Sequence, residues 1–403
     1  MRIWKIVQSI WVQKTGENES LNGLRALAII SVLLFHTVPS LQMIGWGELG
    51  ITKFFDTLDS GVALFFVLSG YLISGGLKKE WNQNSEINFK LFFIKRSLRI
   101  FPAYYFYLII TYLLVTAILK KGGSNLSLNP TAQSSALSLI ESYKNFKFDL
   151  LYLSDYFPSY NIHTWSLSIE EKFYLLFPFV AGIFLFRFNF KQRFVLLSIL
   201  YSIPMLFRII YYNQYGSYTE AFHAFHIRFD DLMAGILIME ISSHLDLMKK
   251  LQKYWQYILL IAFVIYATNF YFITNQIGTY TTIFSYNFYN ISFALFLLVA
   301  ILGNNHFQSF LSFFLFRPIA RLSYTMYLWN LLLAPFAFQT LVKPFQKNGY
   351  ITPGQFGIAT LHFFLLTFLV STVLYIMIEF PFLKWKSILE SKERNRKQLT
   401  KKS

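Results

Sequence analysis

Arg25 and His36 stand eleven residues apart in an otherwise apolar stretch, residues 21–36. On a helix eleven steps of about 100° return to within roughly 20° of the start, so the two side chains share one stripe, about 16 Å apart along the axis. A guanidinium is a permanent cation whose planar fork fits phosphate or carboxylate. An imidazole titrates near neutral pH and can move a proton or carry an acyl group. Ionisable groups inside apolar runs are costly and therefore mark function. The bland alternative is an arginine that reaches to lipid headgroups and a histidine bonded to a neighbouring helix.

Three further segments carry chemistry. Ser69 and Tyr71, in the apolar run 65–74, are candidates to line a cavity, while Gly61, Gly70 and Gly75 are candidate helix contacts. Arg96 and Arg99 share a helix face at i,i+3 and could clamp phosphate bidentately or simply anchor the chain at a membrane surface. The segment 163–174 holds Trp165, Ser168, Glu170, Glu171 and Lys172. A buried glutamate can act as acid, base or partner to an imidazole. Adjacent carboxylates point to different faces, so one is expected to reach a shared cavity, with Lys172 neutralising the other. Arg228 and Asp231 read as an i,i+3 ion pair, and Glu240 and Glu379 as solvated groups near helix ends. His223, His226 and Asp230 have ligand-like residue types at a spacing too loose to define a metal site.

The elements that must hold these groups follow from composition. Of 403 residues, 55% are hydrophobic and only 14% charged, with a mean hydropathy of +0.43. So few charges cannot cover a water-soluble surface of this size, which excludes a soluble globular enzyme and a disordered chain. The expected fold is all-α: a polytopic integral membrane protein. Apolar runs long enough for a ~30 Å hydrocarbon core fall at 22–40, 58–77, 100–119, 168–187, 193–212, 229–243, 254–273, 283–302, 322–342 and 356–378, ten in all. The absence of cysteine removes disulfides, thiolate nucleophiles and Cys-ligated metals. The net charge of +16 sits in short clusters between apolar runs, without the long basic face that nucleic acid requires.

Those clusters set the orientation. With both termini in the cytoplasm, 25 Lys and Arg fall inside and 9 outside, and Arg25 and Lys172 lie within spans; this bias favours N-in and C-in. Three parts are expected: a cytoplasmic interfacial segment 1–21, a ten-helix membrane domain 22–383, and a basic cytoplasmic tail 384–403. The first part alternates Ile3, Trp4, Val7, Ile10 and Trp11 with Arg2, Lys5 and Lys14, which suits a helix lying in the interface. No signal-peptide pattern is expected. Residues 120–165 form a long external segment able to cover a mouth.

Together these segments resemble the membrane acyltransferase-3 family. The resemblance rests on Arg25-(ten residues)-His36, on Phe66-Val-Leu-Ser69-Gly70-Tyr71, and on Arg96-x-x-Arg99 before Pro102-Ala-Tyr104. It rests also on Thr164-Trp165-Ser166-Leu167-Ser168-x-Glu170-Glu171-x-Phe173-Tyr174, on Arg228-x-x-Asp231 with Gly235, and on Ser323-Tyr324-x-x-Tyr327-Leu328-Trp329. It extends from about residue 20 to 382.

The resemblance implies ten spans in the inner (plasma) membrane and transfer of an acyl group, most often acetyl from acetyl-CoA, to hydroxyls of a surface glycan or lipid-linked saccharide. It implies that Arg25 holds the donor, that Arg96 and Arg99 lie near its CoA phosphates, and that His36 is the catalytic imidazole, as base or as acyl carrier. Glu170 or Glu171 would orient His36 or activate the acceptor. The acyl-CoA is a substrate; no resident cofactor or metal is implied. Trp165, Tyr156 and Tyr160 could stack on sugar rings or belong to an interfacial aromatic belt. Two departures stand out: Asn330 follows Tyr-Leu-Trp where His is common, and Lys172 replaces a common Gln. The alternative class is a transporter or flippase for a lipid-linked glycan, against which stand the lack of an inverted repeat and of paired broken helices.

The charge bias makes a direct prediction. A cysteine at Ser134 should react with an impermeant thiol reagent in intact cells and one at Ser85 should not; the reverse pattern would overturn the orientation.

Overall fold

The computed structural model describes residues 3–14, 16–43, 45–47, 49–122, 140, 143–216, 223–275 and 278–400. The external segment expected at 120–165 therefore lies partly outside the described residues, as do Ser134, Arg2 and the last three residues of the tail. The chain folds as α1 (Ile3–Trp11), α2 (Glu19–Phe35), α3 (Gly61–Asn84), α4 (Phe89–Gly122), α5 (Trp165–Ile183) and α6 (Phe190–Tyr215). It continues as α7 (Asp230–Ser242), α8 (Trp255–Thr274), α9 (Ser285–Ile301), α10 (Phe316–Asn348), α11 (Pro353–Leu374) and α12 (Phe380–Thr400), with short helical turns between. No strand occurs among the described residues, as the all-α expectation required.

Local sequence starts several of these helices. Asn18 caps α2 by accepting from the Ser20 amide at 3.1 Å. Asn189 with Gln192, and Thr352 with Gln355, form reciprocal capping boxes before α6 and α11, and Pro353 occupies the first turn of α11. A π-helical turn, Tyr375–Glu379, joins α11 to α12.

Among the described residues, seven helical stretches, those containing α2, α3, α4, α6, α8, α10 and α11–α12, are long and apolar enough to cross a membrane. This is a membrane protein, but the expected count of ten is not reached on that measure. The other three predicted spans are helices with different physics. The 19 residues of α5 include Glu170, Glu171 and Lys172. The 13 of α7 rise only about 20 Å, and α9 has 17.

At two glycines α3 and α7 approach each other closely. A Cβ on Gly70 would collide with the carbonyl oxygen of Leu232, and one on Gly235 with that of Val67. The two glycines thus admit each other's backbone, which brings helices into contact in the small-residue manner. Gly61 serves α2 in the same way, since a Cβ there would stand 2.6 Å from the Ala28 carbonyl oxygen. Gly75 meets nothing nearer than 3.7 Å and is not such a point.

Several buried charges are paired. Arg208 of α6 reaches Asp230 and the Asn287 amide oxygen at 2.7 Å each, and Arg228 binds Asp231 at 2.9 Å, the ion pair expected from sequence. Two expectations are corrected. Glu240 is fully buried against Arg193 at 2.9 Å, and Glu379 is buried with Thr325 as its partner. Their places near helix ends suggested solvent, but neighbouring helices cover them. At the other end, Arg321 of α10 meets Glu17 at 2.5 Å, and Arg317 reaches Glu19, tying the α1–α2 connection to α10.

Replacing Gly70 by Val should abolish the monodisperse peak of the detergent-solubilised protein in size-exclusion chromatography. Gly357→Ala, at an exposed α11 position with open space around it, should leave that peak intact.

Candidate functional site

Two cavities lie end to end inside the bundle. The larger, about 460 Å³, is lined along α3 from Val62 to Glu80, a rise of about 27 Å. Arg25 of α2 faces it, with Arg96 and Arg99 of α4, Glu170 and Glu171 of α5, Tyr324 and Tyr327 of α10, and Lys386 of α12. The smaller, about 220 Å³, is lined by Val32, Phe35 and His36 at the end of α2, by Asp59 and Ser60 before α3, and by His163, Trp165, His223 and Arg228. Val62 and Tyr327 line both. Along α2, α3 and α10 the residues pass in register from one cavity to the other, so the two are stacked along the helix axes.

The structure thus brings Arg25, Arg96, Arg99, Ser69, Glu170 and Glu171 around one space. The 95–99 turn of α4 puts Lys95, Arg96 and Arg99 on that wall through the i,i+3 and i,i+4 spacing, and Arg25 is close enough for their charges to repel its own. Excess positive charge facing a cavity is a site for an anion. Arg96 also lies over the Tyr174 ring, 4.7 Å from its centre.

The carboxylates divide by partner. Glu170 accepts from Ser69 at 2.6 Å and from the Tyr174 hydroxyl at 3.0 Å. Both glutamates line the cavity, which corrects the expectation that only one would; the cavity follows α5 far enough to touch neighbouring positions. Glu171 Oε1 is buried and has no hydrogen-bond partner among the described residues. Lys172 does not neutralise it. Its ammonium turns the other way, to Asp155 and the Tyr152 carbonyl at 2.8 Å.

Tyr71 and Ser168 line neither cavity. Each is two residues from a lining residue on the same helix, about 200° around the axis. Tyr71 packs toward α7, while Ser168 is fully buried and bonded to Ser154 at 2.8 Å. Trp165 faces the smaller cavity, stacked on His223 at 4.3 Å between ring centres and 5.3 Å from the Arg228 guanidinium. The loosely spaced His223, His226 and Asp230 are drawn apart. His226 stacks on Tyr156, and Asp230 is held by Arg208.

His36 is separated from Arg25 by the junction of the two cavities. It caps the C-terminus of α2, so the shared stripe persists to its end. Its Nδ1 has no hydrogen-bond partner among the described residues. Asn330 is its neighbour on α10 and spends its amide N–H groups on the Met326 and Tyr327 carbonyls, at 3.2 and 2.6 Å. At the junction the Tyr327 hydroxyl donates to the His163 carbonyl at 2.8 Å and contacts Ser166 at 2.6 Å.

Sequence reasoning passed over Tyr327, Asp59, Lys386 and His163 as lining residues. Tyr327 and His163 sat in segments already singled out, whereas Lys386 was submerged in a basic tail. His163, outside the spanning helices, is buried. Desolvation, and then the nearness of His36, push its pKa down to about 3, so it is neutral at physiological pH.

Fold and site together define a polytopic α-helical membrane protein with a basic cavity and a histidine-lined cavity in line. The family model described as an acyltransferase domain matches residues 18–379, and the chain belongs to the acyltransferase-3 family. It is 30% identical over 378 residues to O-acetyltransferase OatA of Staphylococcus aureus, in strains NCTC 8325 / PS 47 and COL alike, across 90% of this chain and 57% of the relative. SACOL0978 of strain COL is 26% identical over the same length. The chain therefore spans somewhat more than half the length of these relatives. No solved structure matches it.

Proposed function

We propose that this protein is an O-acetyltransferase that moves an acetyl group from acetyl-CoA to a hydroxyl of a cell-surface glycan or lipid-linked saccharide. The observation that carries the reading is the stacked pair of cavities, basic in one and imidazole-lined in the next, meeting at Val62 and Tyr327. The names of the S. aureus relatives support acetyl as the group.

The donor's phosphates sit against Arg25, Arg96 and Arg99, with Lys95 and Lys386 adding charge. Guanidinium forks suit this task because each makes two parallel hydrogen bonds to phosphate. The pantetheine arm runs along α3, and its acyl end reaches the junction near His36. The hydroxyl of the acceptor enters the smaller cavity, where His36 takes its proton as the new ester bond forms. Glu170, fixed by Ser69 and Tyr174, holds the α3–α5 wall and offsets the arginine charge. The chain is oriented with both termini and the basic cavity on the cytoplasmic side of the inner membrane, so donor and acceptor approach from opposite faces.

Converting both Arg96 and Arg99 to Gln should raise the acetyl-CoA KM tenfold or more while changing kcat by less than threefold. An unchanged KM in folded protein would remove the phosphate clamp. Arg25→Lys keeps the charge but loses the fork, and should also act mainly on donor KM. His36→Gln should lower acetyl transfer at least a hundredfold while the thermal shift produced by CoA is retained; near-normal transfer would remove His36 from the chemistry.

A further inference from the structure

The smaller cavity contains a second imidazole whose chemistry the reaction above leaves unused. His163 Nε2 stands 3.1 Å from the Leu328 carbonyl oxygen. A carbonyl only accepts, so Nε2 carries the proton and Nδ1 is left with a lone pair. That Nδ1 is buried and has no hydrogen-bond partner among the described residues. The ring is fixed from both sides, edge-on to Tyr107 at 5.5 Å and against Tyr327 at 5.6 Å between centres. A rigid ring with a buried, unsatisfied acceptor is an expensive arrangement unless a ligand supplies the donor.

His36 shares the cavity, is near enough for its charge to bear on His163, and has an unpartnered Nδ1 of its own. An alcohol hydroxyl has one proton and serves one acceptor. His36, as the base, takes the hydroxyl that reacts, so a hydroxyl donating to His163 Nδ1 must be a second one on the same molecule. At about 220 Å³ the space is smaller than the roughly 300–1,000 Å³ of drug-sized sites, and Trp165, Tyr286, Tyr289 and Phe35 give it flat apolar walls. These dimensions suit one six-membered ring.

We infer that His163 is a specificity residue for the acceptor: its Nδ1 accepts a hydrogen bond from a hydroxyl adjacent to the one that reacts, so the enzyme selects vicinal diols on a six-membered ring. This rests on the acetyl-transfer reading, with His36 as base. The reacting oxygen bonds to the acetyl carbon, the carbon–sulfur bond breaks, and the hydroxyl proton passes by way of His36 to the CoA sulfur. His163 takes up no proton; it only holds the neighbouring hydroxyl.

The test uses purified full-length protein, acetyl-CoA, and two ring alcohols as acceptors, trans-cyclohexane-1,2-diol and cyclohexanol, with acetyl esters quantified by mass spectrometry. The wild-type kcat/KM should favour the diol about tenfold, the factor expected for one additional hydrogen bond of ~1.4 kcal/mol. In His163→Gln the terminal amide can still donate to Leu328 but the Nδ1 acceptor is gone. The preference should fall to within twofold of unity through a higher diol KM, with the acetyl-CoA KM unchanged. His163→Asn, which returns an acceptor oxygen near the Nδ1 position, should recover much of the preference. A wild type that does not prefer the diol, or that acetylates neither alcohol, overturns the inference. So does a His163→Gln enzyme that keeps the preference, or variants that lose both activities together with thermal stability, as a packing residue would. His36→Gln keeps the two claims apart. If it still transfers acetyl, the base assignment fails; if it is inactive and only the diol ratio fails to move in His163→Gln, the specificity assignment alone fails.

Discussion

The contact between α3 and α7 at Gly70 and Gly235 fixes the geometry on which the remainder depends. Both helices give up a side chain so that their backbones meet at Leu232 and Val67. In lipid, where burial of apolar surface gives helices little reason to associate, such close packing is a principal source of cohesion. It also sets the rotation of α3. With Gly70 against α7, Ser69 and the stripe from Val62 to Glu80 must face the other way, toward the large cavity. A turn of α3 by one residue would set Ser69 or Tyr71, in place of Gly70, against the Leu232 carbonyl.

Paired charges complete the frame around that contact. Arg193–Glu240 joins α6 to α7, and Arg208 draws together α6, Asp230 of α7 and Asn287 of α9. Removing one partner from such a pair leaves an uncompensated charge in a medium of low dielectric, at a cost of about 3–5 kcal/mol. These pairs hold the short α7 against neighbours that span farther. They use up their charges on one another, whereas Arg25, Arg96, Arg99 and Glu171 face open space. The division between satisfied and available charge separates scaffold from site.

Much of this was legible in the sequence, for identifiable reasons. Apolar runs and their lack of charge marked helices, and eleven-residue spacing placed Arg25 and His36 on one stripe. What the sequence could not convey was which groups share a space. Periodicity on a single helix does not say that Arg25 and His36 serve different cavities, because the division is made by Val62 and Tyr327 on other helices. Lys172 is expected from sequence to neutralise one of its neighbours Glu170 and Glu171, whereas its partner, Asp155, is seventeen residues away. Tyr71 and Ser168 stood in the right segments but on the wrong side of their helices, a matter that rotation decides and composition does not. The span count of ten also rested on hydropathy alone, and α7 and α9 are shorter than that pattern suggests because surrounding helices, more than lipid, enclose them.

The junction at Val62 and Tyr327 has a consequence for the energetics of the cell. A membrane protein with polar cavities stacked along its axis is one side-chain movement away from being a pore. Each elementary charge that crosses a membrane held at 100 mV dissipates about 2.3 kcal/mol, so an unbroken polar line through the bundle would be costly. Tyr327 stands at the junction with its single hydroxyl proton donated to the His163 carbonyl, a group that does not pass it on. The residue that joins the two cavities thus also stands between them.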